Sequence, residues 1–205
     1  LRNIPLKNLW VLFLDADESV TADFRACVRE KIAQTDCSGF WIYYNDHFMG
    51  RQLKYGVKMR KLSLFRRDKG EYEYIDEHTW SYLDMEIHEH PIIEGKVGVL
   101  PVPLIHNDYK GLEHYIAKHN AYSTWEVHRF FQLIKSEIRL TFRQKVKYFL
   151  LDSWLLAPMY FFYAYFFRLG ILDGKTGLLF SIYKMQYFFQ IKSKILEYGR
   201  TNLNN

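Results

Sequence analysis

The chain has 205 residues and a mass of 24.8 kDa, with 49% apolar residues, which is enough to bury a sizeable core and excludes wholesale disorder. Its two cysteines, Cys27 and Cys37, exclude a disulfide framework, and the lack of a C-x-x-C pair gives no sign of structural zinc, so a reducing compartment is expected. The formal net charge of +5 is divided unevenly: residues 128–205 hold 12 basic and 4 acidic side chains, leaving an acidic-leaning front and a basic back.

The first residues, Leu1-Arg-Asn-Ile-Pro-Leu-Lys-Asn-Leu9, lack the charged, apolar and small-residue succession of a signal peptide and include no initiator Met. The chain is therefore expected to begin inside a longer protein. Trp10-Val-Leu-Phe-Leu14 is an unbroken apolar run ending at Asp15, and predicts a buried strand of an α/β sheet. Helical spacing follows over 23–33. A β-branched and aromatic run, Gly39 to Tyr44, predicts a second strand entering a turn at Asn45-Asp46, and Met59 to Phe65 predicts a third. Residues 68–90 mix charged and aromatic side chains without a period, as loop-rich, chemistry-bearing segments do. Short strands are expected at Gly95 to Leu100 and, after Pro101 and Pro103, at Leu104-Ile-His106. From Gly111 the chain turns helical.

The last third changes character. Phe130, Ile134, Ile138 and Phe142 share one helical face, with Lys135, Arg139 and Arg143 on a neighbouring one, which predicts a basic amphipathic helix. Ten of the 37 aromatic residues fall between Tyr148 and Phe167. The apolar block Trp154 to Phe167 contains Pro158 and is shorter than the roughly 20 residues of a spanning helix. It is expected to rest on a membrane surface, with Lys135, Arg139, Arg143, Lys145 and Lys147 near anionic lipid. Leu172-Asp-Gly174 breaks the pattern before a further apolar segment, Leu178 to Ile191. The composition divides the chain into residues 1–127 and a basic, aromatic region at 128–205.

The sharpest chemical feature is Asp15-Ala-Asp-Glu18 at the carboxyl end of the first apolar strand. In extended chain, residues i and i+2 point the same way, so two carboxylates converge where ligands bind to α/β sheets. A hard divalent cation needs only one or two such carboxylates when substrate phosphates supply its other oxygens. A solvated strand end, with one Asp capping the next helix, is the competing structural reading.

With these residues in view, Trp10-Val-Leu-Phe-Leu-Asp-Ala-Asp-Glu18 resembles the W-x-L-x-L-D-A-D-E segment of glycosyltransferase family 2. Lys61-Leu-Ser-Leu-Phe-Arg-Arg67, Ile87-His-Glu-His-Pro91, Glu94-Gly-Lys-Val-Gly98, Leu104-Ile-His106, His119-Asn-Ala-Tyr-Ser123 and Leu172-Asp-Gly174 follow in the order of bacterial members that extend lipopolysaccharide cores and related glycolipids. The resemblance implies a GT-A fold, of which this chain carries the acceptor-side half, without the strand-rich half that binds the nucleotide base. It implies that Asp15 and Asp17 hold Mg²⁺ or Mn²⁺ together with a nucleotide-sugar diphosphate, and that His106 completes the metal site. Glu89 matches the place of the family's catalytic acidic residue, the base for the acceptor hydroxyl; Asp76, Glu77 and Glu86 compete with it on chemistry alone. Arg60, Lys61, Arg66 and Arg67 are candidates to neutralise phosphate, of the donor's diphosphate or of an anionic acceptor sugar, with Arg66 assigned to the donor; a solvated basic strand and turn is the alternative for these residues.

The expected function is thus metal-dependent inverting transfer of a sugar from a nucleotide-diphosphate donor to a glycolipid or cell-surface polysaccharide acceptor, peripheral to the cytoplasmic face of the cell membrane. The competing class is a non-catalytic module binding membrane or nucleic acid through the basic aromatic back. Long Leu and Ile runs among those aromatics weigh against a solvated nucleic-acid groove, so no nucleic-acid partner is expected.

Overall fold

A computed structural model describes residues 7–72, 91–106, 110–135 and 142–203. The chain is mixed α/β and divides into two compact units, one of residues 1–47 and 58–108, the other of 48–57 and 109–205. The compositional boundary after residue 127 falls inside a continuous helix, Leu112–Lys135. Charge changes there, whereas the packing changes ahead of that helix.

In the first unit a sheet runs in the order β1 (Trp10–Leu12), β6 (Arg60–Arg66), β3 (Gly39–Asn45), β10 (Leu104–His106) and β2 (Glu18–Ser19), with β9 (Val97–Val99) also on β3. β6 is antiparallel to both β1 and β3, while β9 and β10 run parallel to β3. The two parallel strands lie along successive halves of β3: Gly39 faces Val97 and Tyr44 faces Leu104, so the chain gains two residues between them. Pro101 and Pro103 occupy that interruption, where the missing amide donors cost no ladder bond.

Alternation along β3 sends Phe40, Ile42 and Tyr44 into a core with Phe24, Leu64, Leu100 and Leu104. Helix α1 (Ala22–Ala33) covers this face with Phe24, Cys27, Val28 and Ile32, at helical spacing. It starts where the Thr21 hydroxyl accepts the Phe24 amide at 3.1 Å, a cap that satisfies one otherwise orphaned donor. Burial of side chains such as Phe24, Ile42, Leu64 and Leu104 contributes about 1.5–3 kcal/mol each. Strands β7 (Gly70–Tyr72) and β8 (Pro91–Ile93) pair separately. Phe65 is fully buried, 5.5 Å from the stacked ring of Phe13 and 5.9 Å from Tyr72.

The run Trp10 to Leu14 differs from its prediction. β1 stops at Leu12, has β6 as its sole strand neighbour among the described residues, and is half-buried throughout; Leu14 is exposed. A short apolar run does not distinguish an inner strand from an outer one whose side chains are covered on one face.

The second unit is helical: α2 (Leu112–Lys135), α3 (Phe142–Leu151), α4 (Leu156–Phe162), a π-helical turn (Tyr163–Phe167), a 3-10 turn (Gly170–Asp173) and α5 (Gly174–Leu203). Its core joins Val127, Phe130, Leu151, Ile191 and Ile195. The ammonium of Lys194 on α5 donates to Asn120 Oδ1 and Ser123 Oγ at 2.8 Å and to Thr124 Oγ1 at 2.7 Å on α2. Burial lowers the pKa of this lysine. His119 pairs Nδ1 with the Tyr115 carbonyl at 2.9 Å and Nε2 with Lys184 Nζ at 3.2 Å, an arrangement satisfied when Nδ1 carries the proton and Nε2 accepts. The stretch His119 to Ser123 thus fastens two helices together.

The segment 48–57 belongs to this unit. Strands β4 (His47–Phe48) and β5 (Arg51–Gln52) are joined by Met49-Gly50, both with positive φ (52° and 73°), the signature of a type I′ hairpin turn. The predicted turn at Asn45-Asp46 is therefore displaced by a few residues. The Asp173 carboxylate accepts the amides of Lys54 and Tyr55 at 3.0 and 2.9 Å, which gives the Leu172-Asp-Gly174 break its structural work. Among the described residues no helix is long and apolar enough to cross a membrane.

Candidate metal and diphosphate site

The loop after β1 turns back on itself at Asp15-Ala-Asp-Glu18. The Glu18 amide donates to the Asp15 carbonyl at 3.0 Å, and the Asp15 amide donates to Glu18 Oε2 at 3.2 Å. Tyr44, the last inward residue of β3, donates its hydroxyl to Glu18 Oε1 at 2.7 Å. The Glu18 carboxylate therefore pins the turn to the sheet. β2 then pairs antiparallel with β10, which sets His106 opposite Glu18 and Ile105 opposite Ser19.

This register brings Asp17 and His106 together: Asp17 Oδ2 lies 3.7 Å from His106 Nε2, with both side chains partly accessible. The His106 ring packs at 5.3 Å from that of Tyr44. Asp15 is paired with Lys61, whose Nζ donates to both of its carboxylate oxygens at 2.9 Å. The expectation that Asp15 and Asp17 converge assumed extended chain. The strand ends before them and residues 16–17 form a turn, so each carboxylate has its own partner. Among the described residues no group of three or more His, Cys, Asp and Glu side chains is arranged to hold a metal.

Arg66 is not brought to this site. Its register partner is Trp10 at the start of β1, about 17 Å along β6 from Lys61 at the usual strand rise. Its guanidinium makes a bidentate contact with Asp68, at 3.0 and 2.7 Å. The cation bonded to a carboxylate of the turn is Lys61. Arg60 lies 4.5 Å over the Trp41 ring. Glu89, with its competitors Asp76, Glu77 and Glu86, lies outside the described residues.

Sequence reasoning passed over Glu18 and Tyr44. The signal available was the alternation of β3, which directs Tyr44 inward with Phe40 and Ile42, where a phenol needs a polar partner. Burial raises the pKa of Glu18 above its ordinary 4.5, and the nearby Asp15 charge adds to this, against the lowering by the Tyr44 and Asp15 amide hydrogen bonds. Tyr44 is likewise raised, by burial and by its bond to Glu18.

A raised carboxylate binds more protons in the folded than in the unfolded chain. Its contribution to stability is therefore full below the unfolded value and falls as pH rises through the folded one. Denaturant melts of Glu18→Gln against the parent, from pH 4 upward, should show this component in the parent and not in the variant. The stability difference between them should shift in favour of the variant as pH rises; a difference independent of pH would contradict the assignment.

The first unit thus presents an acidic turn, a histidine on the adjoining strand and one lysine, all at the end of β3 where β2 and β10 meet. No protein-family model matches the chain, no curated protein is significantly similar to it, and no solved structure matches it.

Proposed function

We propose that the chain is the acceptor-side part of a metal-dependent inverting glycosyltransferase of family 2, with a GT-A fold. In this reading it moves a sugar from a nucleotide-diphosphate donor to a glycolipid or polysaccharide acceptor, peripheral to the cytoplasmic face of the cell membrane. The observation that carries the reading is the Asp17–His106 pair, 3.7 Å apart on the turn and β10. A carboxylate and an imidazole at this separation are a donor set that Mn²⁺ accepts, with water and diphosphate oxygens completing its shell, whereas Mg²⁺ would rest on the Asp17 oxygens alone. Bound there, the cation would supply positive charge to the departing diphosphate.

The protein's own groups divide the remaining work. Lys61, held at Asp15, places a second positive charge beside the same turn, in reach of a phosphate that competes for it. Glu18 and Tyr44 fix the turn so that Asp17 keeps its aim. Glu89, on the family resemblance, takes the proton from the acceptor hydroxyl as that oxygen attacks the anomeric carbon. A donor-hydrolysis and transfer screen over nucleotide sugars, with and without Mn²⁺, tests the reading on the full-length protein. Metal-dependent release of nucleoside diphosphate supports it; no turnover with any donor in either condition argues against it.

A further inference from the structure

Helix α4 and the π turn leave much of their large apolar surface uncovered. The face packed within the helical unit carries small residues, Ala157 and Ala164, both buried. Close packing of small residues continues beyond it: a Cβ on Gly177 of α5 would collide with the Gly170 carbonyl oxygen. Tyr160 also packs inward, 4.8 Å from the Phe188 ring, and Leu156 packs against the core, while a second set of large side chains points outward. Leu155, Met159, Phe162 and Phe166 fall at i, i+4, i+7 and i+11 on one helical face, with exposures of 65%, 56%, 55% and 48%, and Phe167 beside them is 80% exposed. Trp154 extends this surface onto Phe189 of α5, ring to ring at 5.4 Å and half exposed itself. Scattered apolar side chains on a surface are ordinary; a continuous row of this size marks an interaction site.

We infer that this row is a membrane-embedding surface, which enters the boundary between headgroups and acyl chains of an anionic bilayer. Length sets the mode of contact. Residues 156–167 span at most about 18 Å, too little for a hydrocarbon core of about 30 Å, so the segment lies in the plane. Charge selects the occupant. Residues 142–203 contain nine basic and three acidic side chains. Asp152 is paired with Lys192 at 2.6 Å, Lys147 with Glu126 at 2.7 Å, and Asp173 accepts the Lys54 and Tyr55 amides. Lys145, Arg168 and Lys175 are exposed. Anionic headgroups match that balance, with basic stems able to reach them from the apolar row, whereas a second copy would bring like charge against like. The inference specifies the membrane attachment of the proposed function and stands on the helical unit alone. Its failure would leave metal and nucleotide binding by the first unit untouched, and the reverse also holds.

The test is sedimentation of the full chain with vesicles of phosphatidylcholine alone or mixed with phosphatidylglycerol. The parent is expected to pellet with the mixed vesicles and to be released by salt. Phe162→Ser, Phe166→Ser and Phe167→Ser combined should weaken binding by at least about tenfold, from the apolar area removed, with an unchanged circular dichroism spectrum because all three side chains are exposed. As a second measurement on the intact chain, lipids brominated in the acyl chain should quench tryptophan emission, and Trp154→Phe should remove most of that quenching. A parent that stays in the supernatant, a triple variant that binds as well as the parent, or dimerisation through this row without vesicle binding would each overturn the inference.

Discussion

Asp17→Ala is expected to lower kcat/KM for sugar transfer by roughly a thousandfold, the scale set by losing charge stabilisation at a departing diphosphate. The loss follows from the geometry around the turn. Asp17 is the carboxylate that faces His106, at 3.7 Å, whereas Asp15 is held by Lys61 at 2.9 Å. Asp15→Ala should therefore behave differently: it frees the Lys61 ammonium and weakens the turn, and should retain more activity than Asp17→Ala. Arg66→Ala serves as the control. Its guanidinium is bonded to Asp68 near the start of β1, and the variant should keep kcat/KM within about threefold, since exposed ion pairs contribute little. Steady-state kinetics on the three variants decides the order; equal losses at Asp15 and Asp17 would show that the two act as one ligand set.

Leu104→Ala should destabilise the chain by about 2–5 kcal/mol, the cost of lost transfer energy plus the cavity left behind. Leu104 is fully buried, at 0% exposure, in the core with Phe40, Ile42 and Tyr44. Its effect should reach the site as well. β10 has only three residues, Leu104–His106, and Leu104 is the buried one, next to the pairing that sets Ile105 against Asn45 on one side and Ser19 on the other. With that anchor gone, His106 loses the support that aims it at Asp17. Urea melts should show the stability loss at an unchanged m-value, and Mn²⁺ affinity should fall in conditions where the variant is still folded. Wild-type metal affinity in folded Leu104→Ala would show that the histidine is positioned by other contacts.

Much of the fold could be read from local pattern. The alternation of Gly39 to Tyr44 and of Met59 to Phe65 corresponds to β3 and β6, and the helical spacing of residues 23–33 to α1, because each pattern has one covered face with a single period. Less legible was anything that depends on a partner distant in sequence. Trp10 to Leu14 has the composition of an inner strand, yet its place in the sheet depends on β6, some fifty residues later. The roles of four basic residues around β6 could not be separated by type. Their separation comes from register, which sets Lys61 near the acidic turn and Arg66 at the far end of the strand. Tyr44 and Glu18 bond across 26 positions, and the Asp17–His106 pair depends on β2 and β10 meeting.

The back of the chain shows the same limit from another side. Its apolar, aromatic composition predicts coverage by lipid or by protein. In the structure Ala157 and Ala164 are buried and Tyr160 packs on Phe188, while Met159, Phe162 and Phe166 are exposed. A composition count weights Phe162 and Phe161 equally, although one is exposed and the other only half so.

The proposed function depends most on one cation shared by Asp17 and His106. Electron spin echo measurements on Mn²⁺ added to the full-length protein with a nucleoside diphosphate test this without reference to turnover. The expected result is a nitrogen coupling from one imidazole that disappears in His106→Gln, and loss of tight Mn²⁺ binding in Asp17→Ala. Unchanged Mn²⁺ affinity and an unchanged nitrogen signal in both variants would contradict it.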